Sequence, residues 1–136
     1  MPPDHFIQNL ERLQTELPHM AARAMAYTSL WMEQYAKPNA PWTDRTANLR
    51  NSIQAGVTRA QEDEVEGALS MGYLGFGESM EYARRIELGF VGEDSLGRTY
   101  NQSPYPIIWP TVQLAANQHI FERAMQAELQ QFLGTS

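Results

Sequence analysis

Between Ala40 and Ile53 the apolar rhythm of this chain changes from that of a helix to that of a strand, in a stretch pinned by prolines. Upstream, Phe6, Leu10, Leu13, Leu17, Met20, Ala24, Tyr27 and Trp31 recur in alternating steps of four and three. That spacing predicts one narrow apolar stripe on a helix from His5 to Gln34. Downstream, Ile53, Ala55 and Val57 alternate with Gln54, Gly56 and Thr58, the period of a half-buried strand. Pro38 and Pro41 fix their own φ and bias Lys37 and Ala40 toward extended geometry. Asp44-Arg45-Thr46 can start a helix, with Asp44 or Thr46 accepting from orphan amides, and one short turn, Ala47 to Asn51, leads into the strand. A tryptophan, two arginines and two asparagines are thus gathered in a corner where a plain connector would suffice.

The first helix is expected to start near Asp4, a plausible N-cap, with Pro2 and Pro3 unable to extend it upstream. Pro18 removes one backbone donor, so a kink or a break is expected there; the stripe keeps its phase across it, which favours a kink. Such a stripe either packs on the protein's own sheet or, in part, meets another subunit. A helix of about 30 residues spans roughly 45 Å, more than short strands cover, so part of it is expected to project.

Beyond the corner, Val65, Gly67, Leu69, Met71 and Tyr73 alternate with Glu66, Ala68, Ser70 and Gly72. With the charged reversal Gln61-Glu62-Asp63-Glu64 between the two runs, this reads as a β-hairpin. Leu74 to Ser79 is a glycine-rich link without the GxxxxGK[ST] pattern of a phosphate loop. Tyr82 to Leu88 is expected as a helical turn entering a short strand, and 89–103, rich in Gly, Asp, Ser and Asn, as a long functional or mobile loop. Pro104, Pro106 and Pro110 keep the next segment extended, with Ile107-Ile108-Trp109 as a buried or edge strand. Pro110 fits the first turn of a closing helix, Thr111 to Leu133, stopped by Gly134. The expected architecture is α+β, two helices on a small antiparallel sheet containing a hairpin. It forms one domain over 1–136: long helix 1–36, proline-rich corner 37–52, sheet 53–109 with its loop 89–103, and C-terminal helix 110–134.

Composition narrows function mainly by exclusion. A net charge of −6 argues against general nucleic-acid binding by phosphate neutralisation. The absence of cysteine removes disulfides, thiolate metal sites and cysteine nucleophiles. The start MPPDHFIQNLERL lacks a basic region followed by an apolar run, and no apolar stretch approaches the ~20 residues of a membrane span, so neither a secretory signal nor a membrane segment is expected. His5, His19 and His119 match no metal signature, and Ser52, Ser79 and Ser103 lie in neither GxSxG nor SxxK. No catalytic set and no cofactor are expected. What calls for explanation is polar or aromatic: Trp42, Arg45, Asn48, Arg50, Tyr82, Arg84, Arg85, Glu87 and Trp109. A short helix followed by a strand can aim Arg50 and Asn48 toward neighbouring backbone; Glu87 lies between Ile86 and Leu88, so it needs a partner, and Arg45 or Arg50 can offer a bidentate one. These residues either clamp the corner within one chain or contact another subunit. In a different class altogether, Trp42, Tyr82 and Trp109 could line the pocket of a small ligand-binding domain or enzyme.

Three segments in order resemble the tail-completion family of tailed bacteriophages, the head–tail joining, neck or minor tail components. The family's T-G-x-L-R-x-S-I corresponds to Thr46-Ala47-Asn48-Leu49-Arg50-Asn51-Ser52-Ile53. Its Y-A-x-x-[IV]-E-[FL]-G-T corresponds to Tyr82-Ala83-Arg84-Arg85-Ile86-Glu87-Leu88-Gly89, with Phe90 in place of Thr. Its P-x-P-F-[IL]-x-P-A is similar to Pro104-Tyr105-Pro106-Ile107-Ile108-Trp109-Pro110-Thr111. Ala47 stands where the motif has Gly, so that position does not need φ > 0.

The resemblance implies a non-enzymatic virion protein, assembled in the host cytoplasm. It would form a homo-oligomeric ring in the neck between the portal or adaptor side of the head and the tail-tube or tail-terminator proteins. DNA would pass through such a ring without specific binding, helped by like-charge repulsion.

Overall fold

The structure, a computed structural model, describes residues 3–42, 48–71, 73–74, 78–79, 83, 87–93 and 96–134. Helix α1 (Pro3–Asn39) is followed by α2 (Asn48–Asn51), then strands β1 (Gln54–Ala60), β2 (Val65–Ser70), β3 (Tyr73–Leu74), β4 (Glu78–Ser79), β5 (Phe90–Glu93) and β6 (Thr99–Gln102), then helices α3 (Ile108–Asn117) and α4 (Ile120–Gly134). The strands pair as three two-stranded sheets, β1–β2, β3–β4 and β5–β6. The fold is α+β. The expected cap candidates Asp44 and Thr46, and Arg45 beside them, lie outside the described residues.

Pro18 does not end α1, which runs unbroken for 37 residues. Asp4 lies inside its first turn, because the helix already includes Pro3. The other end also differs from expectation, since α1 continues through Pro38 to Asn39. A proline in the last turn removes one intrahelical bond, and two side chains compensate nearby. Asn39 Nδ2 donates to the Tyr35 carbonyl at 2.8 Å, and Arg50 donates to that of Lys37.

Phe6, Leu10 and Leu17 are exposed, so the buried part of the expected stripe on α1 is Met20 and Ala24. Beyond it the buried positions are Thr28, Met32 and Ala36, steps of four, with Ser29 beside them, while Tyr27 is 56% exposed. A run of i, i+4 steps drifts around the helix, because four residues overshoot one turn of 3.6. The expected seam chose Tyr27 and Trp31 for size, where the fold buries small side chains.

By contacts the chain forms two units. The first comprises Met1–Trp31, Gly56–Ala68 and Ala115–Ser136. Its buried residues include Met20, Ala24, Thr28, Ser29, Ala115 and Ile120. Small residues let α1 approach β2 closely. A Cβ built on Gly67 would lie 2.7 Å from both Met25 Sδ and Ser29 Oγ. The alternation read for β2 holds, with Leu69 buried, Val65 and Gly67 half-buried, and Glu66 and Ala68 exposed. At the turn, Gln61 N–H donates to the Glu64 carbonyl at 2.8 Å, and Arg59 pairs with Glu64 at 3.1 Å. Across from α1, Arg23 grips Glu128 of α4 through Nε and Nη2 at 3.0–3.1 Å. The Glu128 hydrogen bond raises the Arg23 pKa above its ordinary value; desolvation, the next largest effect, opposes it, and the charges of Glu128 and Glu16 add to the rise.

The expected single closing helix is two helices, α3 and α4. The break falls at Gln118-His119, where His119 takes φ 54°, a left-handed conformation. His119 N–H bonds the Ala116 carbonyl at 3.1 Å, and its own carbonyl accepts from Arg123 N–H at 2.9 Å, so one residue closes the first helix and opens the next.

The second unit comprises Met32–Ala55 and Leu69–Leu114. Here two further expectations are corrected. Residues 89–103 are not a structureless loop, because β5 and β6 pair antiparallel with Phe90 opposite Gln102 and Glu93 opposite Thr99. Gly97 at φ 78° supports the reversal. Ile107-Ile108-Trp109 is not a strand either, since α3 begins at Ile108 and Pro110 sits in its first turn.

The close approach at Gly67 predicts that Gly67→Ala costs about 1–3 kcal/mol by overpacking. At Gly56, where a Cβ meets nothing within 4 Å, the same change is near neutral. Urea unfolding of the two variants checks this; equal midpoints would refute the packing account.

Candidate functional site

The polar corner is built on α2. Its apolar anchor, Leu49, is buried with Ala83, and Trp42 and Met71 pack against that pair. Ile53, immediately after α2, is fully buried. The helix is closed by Ser52 N–H on the Leu49 carbonyl and Ile53 N–H on the Arg50 carbonyl, both at 3.1 Å. With both neighbours fixed, Arg50 points at the end of α1. Its Nη1 donates to the carbonyl of Lys37, and its Nη2 donates to those of Ala40 at 3.4 Å and Trp42 at 3.0 Å. The guanidinium also lies 5.7 Å from the centre of the Trp42 ring. Carbonyls at a helix C-terminus carry partial negative charge and lack intrahelical donors, so a fixed cation with several N–H groups suits them.

Glu33 performs the complementary task at the start of the sheet. Its Oε1 accepts from the Ala55 N–H of β1 at 2.9 Å, and its Oε2 lies 3.7 Å from Lys37 Nζ.

Glu87 completes the pattern. One oxygen accepts from the amides of Ile107 at 2.9 Å and Ile108 at 3.0 Å, the other from Trp109 at 3.1 Å. These are the first amides of α3. The next position is Pro110, which has no N–H, and Thr111 N–H already bonds the Ile107 carbonyl at 3.1 Å. Every orphan donor of this helix start is therefore satisfied. Ile107 has no side-chain acceptor to cap with, so the cap comes from a carboxylate 20 residues earlier in the chain.

Arg50 and Glu87 thus each hold a helix end, and Arg45, the other expected partner of Glu87, lies outside the described residues. Arg50 has carbonyls for partners and Glu87 has amides. Trp42 is half-buried beside Arg50, whereas Trp109 is 62% exposed and meets Glu87 only through its backbone. Arg45, Tyr82, Arg84 and Arg85 lie outside the described residues, and of Asn48 only the backbone is described. Arg50 meets neighbouring backbone, as its place between a short helix and a strand predicts, whereas sequence reasoning missed Glu33 and the amide partners of Glu87, since an amide acting as a ligand has no residue-type signature.

Chemically, the arrangement neutralises partial charges and fixes geometry. Among the described residues no cluster of three or more His, Cys, Asp or Glu side chains could hold a metal, and no helix is long and apolar enough to cross a membrane. Two hollows are lined by α1 and α4 residues and include neither Trp42 nor Trp109.

The site is thus a charged corner, on an α+β scaffold, that holds backbone ends of its own chain. The chain is a member of the HK97-gp10-like family, described as "Bacteriophage HK97-gp10, putative tail-component", whose model matches residues 4–89. It is thereby a phage tail component and part of the virion. The matched stretch contains Glu33, Arg50 and Glu87, and ends before α3. No match exists among curated proteins or among solved structures.

Removing either cap leaves part-buried backbone groups unpaired, so Arg50→Ala and Glu87→Ala should each cost about 1–3 kcal/mol. Glu87→Gln, which keeps an acceptor oxygen, should cost less. Because the two side chains serve different helix ends, the double variant should be additive within about 0.5 kcal/mol. Chemical denaturation measures this, and a large coupling energy would restore the ion-pair picture.

Proposed function

We propose that copies of this chain form a ring in the neck of the phage, joining the portal or adaptor side of the head to the tail. The observation that carries this reading is an apolar face with no cover. Met20 and Ala24 are buried on α1, yet the same stripe toward the N-terminus stays open, with Phe6 54%, Leu10 49% and Leu17 39% exposed, and Ile7 beside them at 51%. Covering such half-exposed side chains contributes about 1 kcal/mol each, enough for a few of them to hold a repeated contact. Other copies, and the tail-tube or tail-terminator proteins, are the partners of matching role.

The corner supports the same reading. A connector must present its surfaces at fixed angles, and capping both helix ends with charged side chains holds the local backbone in one geometry. The net charge of −6 suits a wall beside moving DNA, which must not adhere. Assembly in the host cytoplasm followed by incorporation into the neck is the corresponding route.

Light scattering should show self-association, alone or with a portal–adaptor complex. The variant carrying Leu10→Glu and Leu17→Glu should be monomeric with unchanged helix content by circular dichroism. A wild-type chain that stays monomeric and ignores the complex would overturn the connector reading. The chain should also show no retention of DNA on a filter at low salt, and tight binding there would contradict the proposed channel-wall role.

A further inference from the structure

The first unit carries two surfaces of opposite sign. At the β1–β2 turn, Glu64 is paired with Arg59, but Glu62 and Asp63 are exposed and make no ion pair among the described residues. Between α1 and α4 lies a hollow of about 420 Å³. Ala24, Ala124 and Ala127 make room in it, and Tyr27 forms an exposed part of its wall. Among the described residues Arg123 in that hollow has no carboxylate partner, and Arg23, though bonded to Glu128 through Nε and Nη2, keeps Nη1 open. Glu128 and the charge of Glu16 both act on Arg23, so the uncompensated positive charge of this hollow is that of Arg123, in a chain of net charge −6.

We propose that the β1–β2 turn of one copy seats in the α1–α4 hollow of the next, with Glu62 and Asp63 meeting Arg123 and the free edge of Arg23. This rests on the ring reading above and adds a second, polar contact beside the one on the apolar stripe of α1. The occupant is a second copy because the chain itself supplies the complementary charge. The turn is narrow and polar, the hollow is floored by alanines, and the two patches differ. A contact between unlike patches is head-to-tail, and such contacts generate rings or filaments, whereas a patch meeting its own copy stops at a dimer. Complementary charge of this kind sets register and partner choice and weakens as salt rises.

The chain has no cysteine, which makes a clean test available. Asp63→Cys and Arg123→Cys variants are prepared separately, mixed, and oxidised mildly, with wild-type light scattering run at the same concentration. The mixture should give a disulfide-linked heterodimer about tenfold above the homodimers formed by either variant alone, falling toward the homodimer level in 1 M salt, where screening reaches about 3 Å. A salt-sensitive heterodimer supports the contact. Absence of that excess while the wild type oligomerises overturns the contact and leaves the ring reading standing. Absence of the excess with a monomeric wild type overturns both.

Discussion

Three hydrogen bonds to one carboxylate hold the second unit at its most exposed weakness. Helix α3 begins with Ile107, Ile108 and Trp109, none of which can cap a helix, and Pro110 follows without an N–H. Glu87 takes all three amides on its two oxygens. Charge-assisted bonds to a helix N-terminus combine acceptor geometry with a favourable interaction with the helix dipole. Without them, the switch from proline-pinned coil to helix would expose unsatisfied donors beside a fully buried Thr111.

The same logic recurs with inverted sign at the corner. Arg50 gathers the carbonyls that follow the last turn of α1, and Glu33 takes an amide at the head of β1. In each case an ionised side chain meets a backbone group, and Glu33 also keeps Lys37 3.7 Å from its second oxygen. This places the three resembling motifs in one physical scheme. The first supplies the cation for the end of α1, the second supplies the anion, and the third is the helix start that anion holds. These contacts fix the local backbone in one geometry.

Much of the architecture was legible in the residues. The four-and-three spacing of Phe6 to Ala24 marked α1, and period-two alternation on either side of Gln61–Glu64 marked the β1–β2 hairpin. The misses have specific causes. Tyr27 outweighed Thr28 in a reading based on bulk, although close packing against Gly67 favours small residues. Strands β5 and β6 hid among Gly, Asp and Asn, because a four-residue pairing needs little apolar signal. Ile107-Ile108-Trp109 resembled a strand because its helical state depends on Glu87, which is remote in sequence. Arg50 was legible as aimed at neighbouring backbone, whereas Glu87 stood out only as needing a partner, because no residue type announces an amide donor 20 residues away.

The span between Glu87 and Ile107 has a consequence for how such a protein can vary. Its two ends are stitched together at the root, while its outer part carries Val91 and Leu96, exposed at 79% and 74%. Lengthening a tethered excursion is cheap, since each doubling of a flexible loop adds only about 0.6 kcal/mol of closure entropy. This appendage can therefore be re-cut to suit a different neighbour while the clasp beneath it stays shut.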